Sequence, residues 1–65
     1  MSKTDAEREA IQRWRALPKA ERATNDQAAL FARSLMDDIV FSTSGDRYQF
    51  IKAWLQRDLL LRGGL

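Results

Sequence analysis

Three stretches of the chain place most of their apolar residues along one side of an α-helix. On a helical wheel of about 100° per residue, positions three and four apart share a face. The pattern predicts helices at about residues 4–16, 24–41 and 45–61. No alternating pattern typical of a β-strand has a useful length. We therefore expect an all-α, compact three-helix domain.

The first predicted helix has an apolar face with Ile11 at its edge, and the face consists of Ala6, Ala10, Trp14 and Leu17. Thr4 followed three residues later by Glu7 has the form of a capping box, which marks a helix start. The helix should end before Pro18, because the residue that precedes a proline resists helical dihedral angles. A short helical turn is expected at about residues 18–22.

The second predicted helix has the widest apolar arc and begins with the capping-box pair Thr24 and Gln27. Its arc covers roughly half of the circumference, more than the stripe of an ordinary surface helix. We therefore expect this helix to be central, with one helix on each side. Phe41 projects outside the arc and should fold back into the core at the helix end. The arc consists of Ala28, Ala29, Ala32, Leu35, Met36, Ile39 and Val40.

The third predicted helix follows the turn-forming residues 42–45, and Thr43 or Ser44 is expected to cap it. Asp58 falls inside its apolar arc, where a carboxylate needs a partner. Arg62, four residues later, and a tryptophan indole N–H are the local candidates. We therefore interpret Asp58 as a satisfied boundary carboxylate. The arc contains Tyr48, Phe50, Ile51, Trp54, Leu55, Leu59 and Leu61.

Length and composition restrict the functions open to the chain. Its 65 residues suffice for one domain, 1–65, with ends expected to fray at 1–3 and 63–65. The sequence has no cysteine and no histidine. It therefore lacks thiolate and imidazole metal ligands, disulfides and the usual general base near neutral pH. It also has no glycine-rich phosphate loop. We predict that the protein is not an enzyme and has no cofactor or small-molecule ligand.

The charge and hydropathy of the sequence give little support for membrane insertion or for a charged tail that binds nucleic acid. The formal net charge is +2, and no block of like charges marks a nucleic-acid-binding tail. No segment approaches the length of a membrane span. The polar start of the chain does not resemble a signal peptide. These observations favour a cytoplasmic protein that has no membrane contact.

Two leucines on polar helix faces suggest a protein partner. Leu30 and Leu60 both point away from the apolar arcs of their helices. Apolar residues that the core does not use can form a surface for a partner or a symmetric dimer. Single exposed leucines are also common without any function. We predict a non-catalytic protein–protein interaction or regulatory module that binds another protein or itself, as a possible homodimer.

Nucleic acid binding through the third helix is the alternative. A short turn containing Gly45 between the last two helices would give a helix-turn-helix arrangement. Ser44 and Asp46 flank Gly45 where such turns usually bury an apolar side chain, and Asp46 would face the phosphates. These features place the alternative second. The outer face would contact phosphates and base edges through Arg47, Gln49, Lys52, Gln56 and Arg57.

Overall fold

A computed structural model describes residues 1–63 and confirms the all-α three-helix fold. The helices are α1 (Lys3–Arg15), α2 (Asn25–Ser34) and α3 (Arg47–Asp58). A 3₁₀ turn at Lys19–Glu21 matches the predicted helical turn, and a π-helical turn at Leu59–Gly63 extends α3. Fraying was predicted at residues 63–65, and residues 64 and 65 lie outside the described part of the chain. The radius of gyration, 11.0 Å, equals the value of about 11 Å expected for a compact chain of this length.

Side chains cap all three helices, although only one of the predicted caps is correct. The Thr24 capping box is confirmed, since Gln27 N donates to Thr24 Oγ1 and Thr24 N donates to Gln27 Oε1, both at 3.1 Å. The predicted Thr4 cap is wrong because α1 already begins at Lys3, so that Thr4 lies inside the helix. Ser2 takes that role, and its Oγ accepts from Asp5 N at 3.1 Å.

The cap of α3 also differs from the prediction. Asp46 occupies the N-cap position, and its Oδ1 accepts a hydrogen bond from Tyr48 N at 2.9 Å. Thr43 instead accepts from Gly45 N at 3.2 Å, within the segment before the helix. A carboxylate is favoured at a helix N-terminus because the aligned peptide dipoles make that end positive. The predicted cap at Thr43 or Ser44 is therefore wrong by two or three positions.

The second helix ends at Ser34 and not at the predicted Phe41. Residues 35–38 form a turn, and residues 39–46, which lead to α3, are not helical. Ile39 and Phe41 are buried on either side of Val40, which is 56% exposed. This alternation is that of an extended chain, in which neighbouring side chains point to opposite sides. A continuing helix would direct Phe41 into solvent, whereas unwinding places both large side chains in the core.

The central element is α3, which corrects the prediction that the second helix lies between the other two. α3 packs against both α1 and α2. Phe41 from the connector packs its ring 5.2 Å from the Trp54 ring of α3, and Trp14 of α1 lies 5.8 Å from Phe31 of α2. These contacts close one hydrophobic core. Its buried members are Ala6, Ala10, Trp14, Ala28, Ala32, Leu35, Ile39, Phe41, Ile51, Trp54 and Leu55.

Candidate functional site

Asp58 is the buried charged residue of the core, and its partner comes from a distant part of the chain. Its side chain is 7% exposed, and its Oδ1 accepts from Arg15 Nη2 at 2.6 Å and from Arg15 Nε at 3.2 Å. The hydrogen bond to Asp58 raises the pKa of Arg15, against a smaller opposing effect of desolvation. The carboxylate is satisfied as predicted, but the predicted local partners, Arg62 and a tryptophan, are wrong. The pair joins α1 to α3.

The remaining acidic residues do not assemble into a metal centre in the described part of the chain. Residues 1–63 contain no group of three or more aspartates or glutamates that could hold a metal ion. Two of the carboxylates are paired with the same arginine, because Arg13 binds Glu9 at 2.7 Å and Asp38 at 3.0 Å. Within the same range, no helix has the length and apolar character needed to cross a bilayer.

The predicted interaction residues Leu30 and Leu60 are both exposed, by 70% and 79%. Leu30 stands on the outer face of α2, where Asp26, Arg33 and Ser34 are its exposed neighbours on the adjacent turns. It is therefore a single apolar side chain in polar surroundings.

Leu60 has an apolar neighbour, because Leu61 is 71% exposed although the helical wheel predicted it to be buried. The backbone changes from α-helix to π-helix at Leu59, and this change alters the direction of each following side chain. Leu59 remains half-buried against the core. We call the exposed pair Leu60 and Leu61 the C-terminal leucine surface.

The C-terminal leucine surface and Leu30 are separate. Gln56 near the end of α3 donates through Nε2 to Asn25 O at the start of α2, at 3.5 Å. Arg33 near the end of α2 lies over the ring of Tyr48 near the start of α3. The two helices therefore run antiparallel, and Leu60 and Leu30 lie on opposite sides of the Gln56 contact. At about 1.5 Å of rise per residue, they are roughly 13 Å apart along the helix axes.

Three of the five residues predicted to contact nucleic acid form bonds within the chain. Arg47 Nη1 donates to the carbonyl oxygens of Met36 and Ile39, at 3.2 and 3.3 Å. Gln56 contacts α2 as described above, and Arg57 Nη2 binds Glu7 of α1 at 2.5 Å. These side chains point toward different neighbours, so they do not form one basic face.

The other two predicted residues are Gln49, which is exposed, and Lys52, which is half-buried. Lys52 Nζ lies 5.4 Å from the ring centroid of Tyr48, and Arg33 Cζ lies 5.4 Å from the same centroid. Arg33, Met36 and Tyr48 also line a surface pocket. We call Arg33, Tyr48 and Lys52 the tyrosine–cation cluster. The sequence pattern offered one signal for it, the spacing of four between Tyr48 and Lys52. The contribution of Arg33 depends on how α2 packs against α3.

The predicted helix-turn-helix geometry requires a correction. The segment between α2 and α3 runs from residue 35 to residue 46, and Gly45 lies close to its end. The expected short turn around Gly45 is therefore wrong, since the early end of α2 lengthens the connection. Gly45 has a different role: a Cβ at this position would lie 3.0 Å from Phe50 Cε2, so the glycine allows the Phe50 ring to pack closely.

No protein-family model, no curated protein and no solved structure matches the chain.

Proposed function

We propose that the protein is a small non-catalytic module of the cytoplasm that binds another protein, or a second copy of itself, through the C-terminal leucine surface. The observation that supports the proposal is the adjacency of Leu60 and Leu61, which are 79% and 71% exposed. Large apolar side chains exposed at consecutive positions favour association, because association removes their surface from water.

The core of the domain is complete without these two leucines. In the described part of the chain, every buried side-chain nitrogen and oxygen has a hydrogen-bond partner. Trp14, Ile39, Ile51 and Leu55 fill the interior and are almost fully inaccessible to solvent. Leu60 and Leu61 therefore contribute little to folding, and the leucine surface is free for a partner.

The size of the surface predicts a weak complex. Burial of one leucine side chain contributes about 1.5–3 kcal/mol, so two leucines contribute about 3–6 kcal/mol. Association costs an estimated 4–15 kcal/mol in lost freedom of motion. The partner must add further contacts, and we expect a transient complex with micromolar or weaker affinity. Leu30 would serve as a second contact only for a partner that reaches about 13 Å along the domain.

Site-specific photo-crosslinking tests the proposal. A photoreactive amino acid is placed at Leu60 and, as a control, at the exposed Ser44 in the connector at the other end of α3. We expect adducts from position 60 that position 44 does not give. A dimer adduct in purified protein indicates self-association, and a discrete adduct only in cells indicates another protein. Equal yields from both positions in both settings would contradict the proposal.

Nucleic acid binding is the second candidate, and the tyrosine–cation cluster is the observation that favours it. Aromatic rings and cations on one surface can stack bases and contact phosphates. Such binding must weaken steeply as salt is added, because phosphate contacts release counterions. A gel-shift experiment at low ionic strength checks this candidate, and absence of a shift with both single- and double-stranded DNA and RNA would remove it.

A further inference from the structure

The tyrosine–cation cluster places two positive charges against one aromatic ring. The Arg33 guanidinium and the Lys52 ammonium each lie 5.4 Å from the Tyr48 ring centroid. Each is attracted to the ring, whose face carries partial negative charge. Two positive side chains that both reach one ring can also both approach an anion that binds beside that ring.

Neither cation forms an ion pair with a carboxylate within residues 1–63. The arginines paired there are Arg8, Arg13, Arg15 and Arg57, all on α1 or on the side of α3 that faces α1. The carbonyl oxygens after α2 accept from Arg47, as described above, so they do not require Arg33 or Lys52.

Three carboxylates lie close in sequence to the cluster, and one of them, Asp38, pairs with Arg13 of α1. Asp46 Oδ1 accepts from Tyr48 N as the cap of α3, and this hydrogen bond fixes its position at the helix end. Asp37 is exposed in the turn after α2 and forms no ion pair within the described residues. Within residues 1–63 the cluster thus has two cations without an ion-pair partner, and Arg33 and Tyr48 line a surface pocket together with Met36.

We propose that the tyrosine–cation cluster binds a phosphoryl group, as inorganic phosphate or as the phosphate of a small ester. The planar guanidinium of Arg33 can donate two parallel hydrogen bonds to a phosphate, and the Lys52 ammonium supplies a second positive charge. A charge-assisted hydrogen bond is stronger than a cation–π contact at an exposed position. Both cations can therefore leave the ring for the anion, with the Tyr48 ring as one wall of the site. This proposal does not depend on the C-terminal leucine surface.

An NMR titration of the whole protein with inorganic phosphate, and separately with a nucleoside monophosphate, tests the site. The resonances of the Arg33 Nε–H and the Tyr48 backbone amide should shift and saturate, with a dissociation constant in the millimolar range. Sodium chloride at matched ionic strength should give no saturable shift. Arg33→Gln and Lys52→Gln should each weaken binding about tenfold, because each removes a charge-assisted contact. If only the monophosphate saturates, the site takes phosphate esters; if both saturate, it also takes free phosphate.

Lys19→Gln is the matched control, because it removes one exposed positive charge in the 3₁₀ turn, away from the tyrosine–cation cluster. It should change the affinity less than twofold. Circular dichroism of each variant verifies that the helices are intact. Absence of saturation with both phosphates would overturn the proposal. Equal weakening by Lys19→Gln and by the two cluster variants would also overturn it, since that result indicates attraction to net charge alone.

Discussion

At the scale of single residues, Asp58 shows how a buried charge is accommodated. Arg15 binds it with two nitrogens, while the guanidinium side chain remains 44% exposed. The hydrogen bond to Asp58 raises the pKa of Arg15, so the pair contributes to stability at every pH below the ordinary range of an arginine, and this contribution is lost only as the pH rises through the folded-state pKa. Arg15 therefore adds no pH dependence near neutrality.

Asp58→Ala should lower the free energy of unfolding by about 1–2 kcal/mol. The variant loses a charge-assisted hydrogen bond, although the half-exposed Arg15 can turn to water and recover part of the loss. Urea denaturation measures the change. Asp38→Ala is the control, because Asp38 also pairs with an arginine but is 61% exposed, and its denaturation midpoint should hardly move. An unchanged midpoint in Asp58→Ala would show that the pair with Arg15 has no structural role.

The sequence predicts that Asp58 needs a partner but does not identify it. The wheel of the third helix places the carboxylate among apolar residues, and that inference requires only local periodicity. Arg15 lies 43 positions earlier in the chain, so its selection depends on how α1 packs against α3. For the same reason, the sequence does not predict that Arg33 of α2 lies over the Tyr48 ring of α3. Residues that meet across two helices cannot be paired from the period of either helix alone.

At the scale of elements, helix existence is easier to predict than helix ends. The apolar period identifies all three helices, but it places the end of the second helix at about Phe41, whereas α2 ends at Ser34. Ile39 and Phe41 suit both a helix and an extended chain by composition. The sequence signal for the true end was Phe41. In a continuing helix its side chain would lie outside the apolar arc, whereas in the unwound chain it is buried. A pattern that leaves a large aromatic side chain without burial is thus evidence for a boundary.

Thr24→Ala should lower stability by about 1 kcal/mol, the usual value of an N-cap side chain. The substitution removes the acceptor for Gln27 N, and it weakens the reciprocal half of the capping box. Thr4→Ala is a matched control, because Thr4 lies inside α1 and Ser2 provides the cap. Thermal unfolding followed by circular dichroism compares the two variants. Equal losses from both would mean that the Thr24 box does not stabilise α2.

At the scale of the whole molecule, α3 holds the other two helices in one core. Lys3 of α1 lies over the Phe50 ring at 4.1 Å, and the Arg15–Asp58 pair joins the same two helices at their other ends. α2 packs along another side of α3, and Phe41 of the connector covers Trp54. A domain of this size is only marginally stable, so it cannot lose one of three helices and stay folded.

A fragment of residues 1–46, which lacks α3, should therefore not fold. Its helices have 13 and 10 residues, below the length at which isolated helices are stable in water. We expect a circular dichroism spectrum of low helicity and no cooperative thermal transition, whereas the full chain should show one. A cooperative transition in the fragment would mean that α1 and α2 form a core by themselves.

The position of α3 also sets the order of events during synthesis. α1 and α2 leave the ribosome before the helix that they both need, so the nascent chain exposes Trp14 and Phe31 until residues 47–58 emerge. Domains generally fold as units, and exposed apolar surface makes incomplete chains prone to aggregation. Every prematurely terminated chain that stops before α3 should therefore be a substrate for chaperones or proteases.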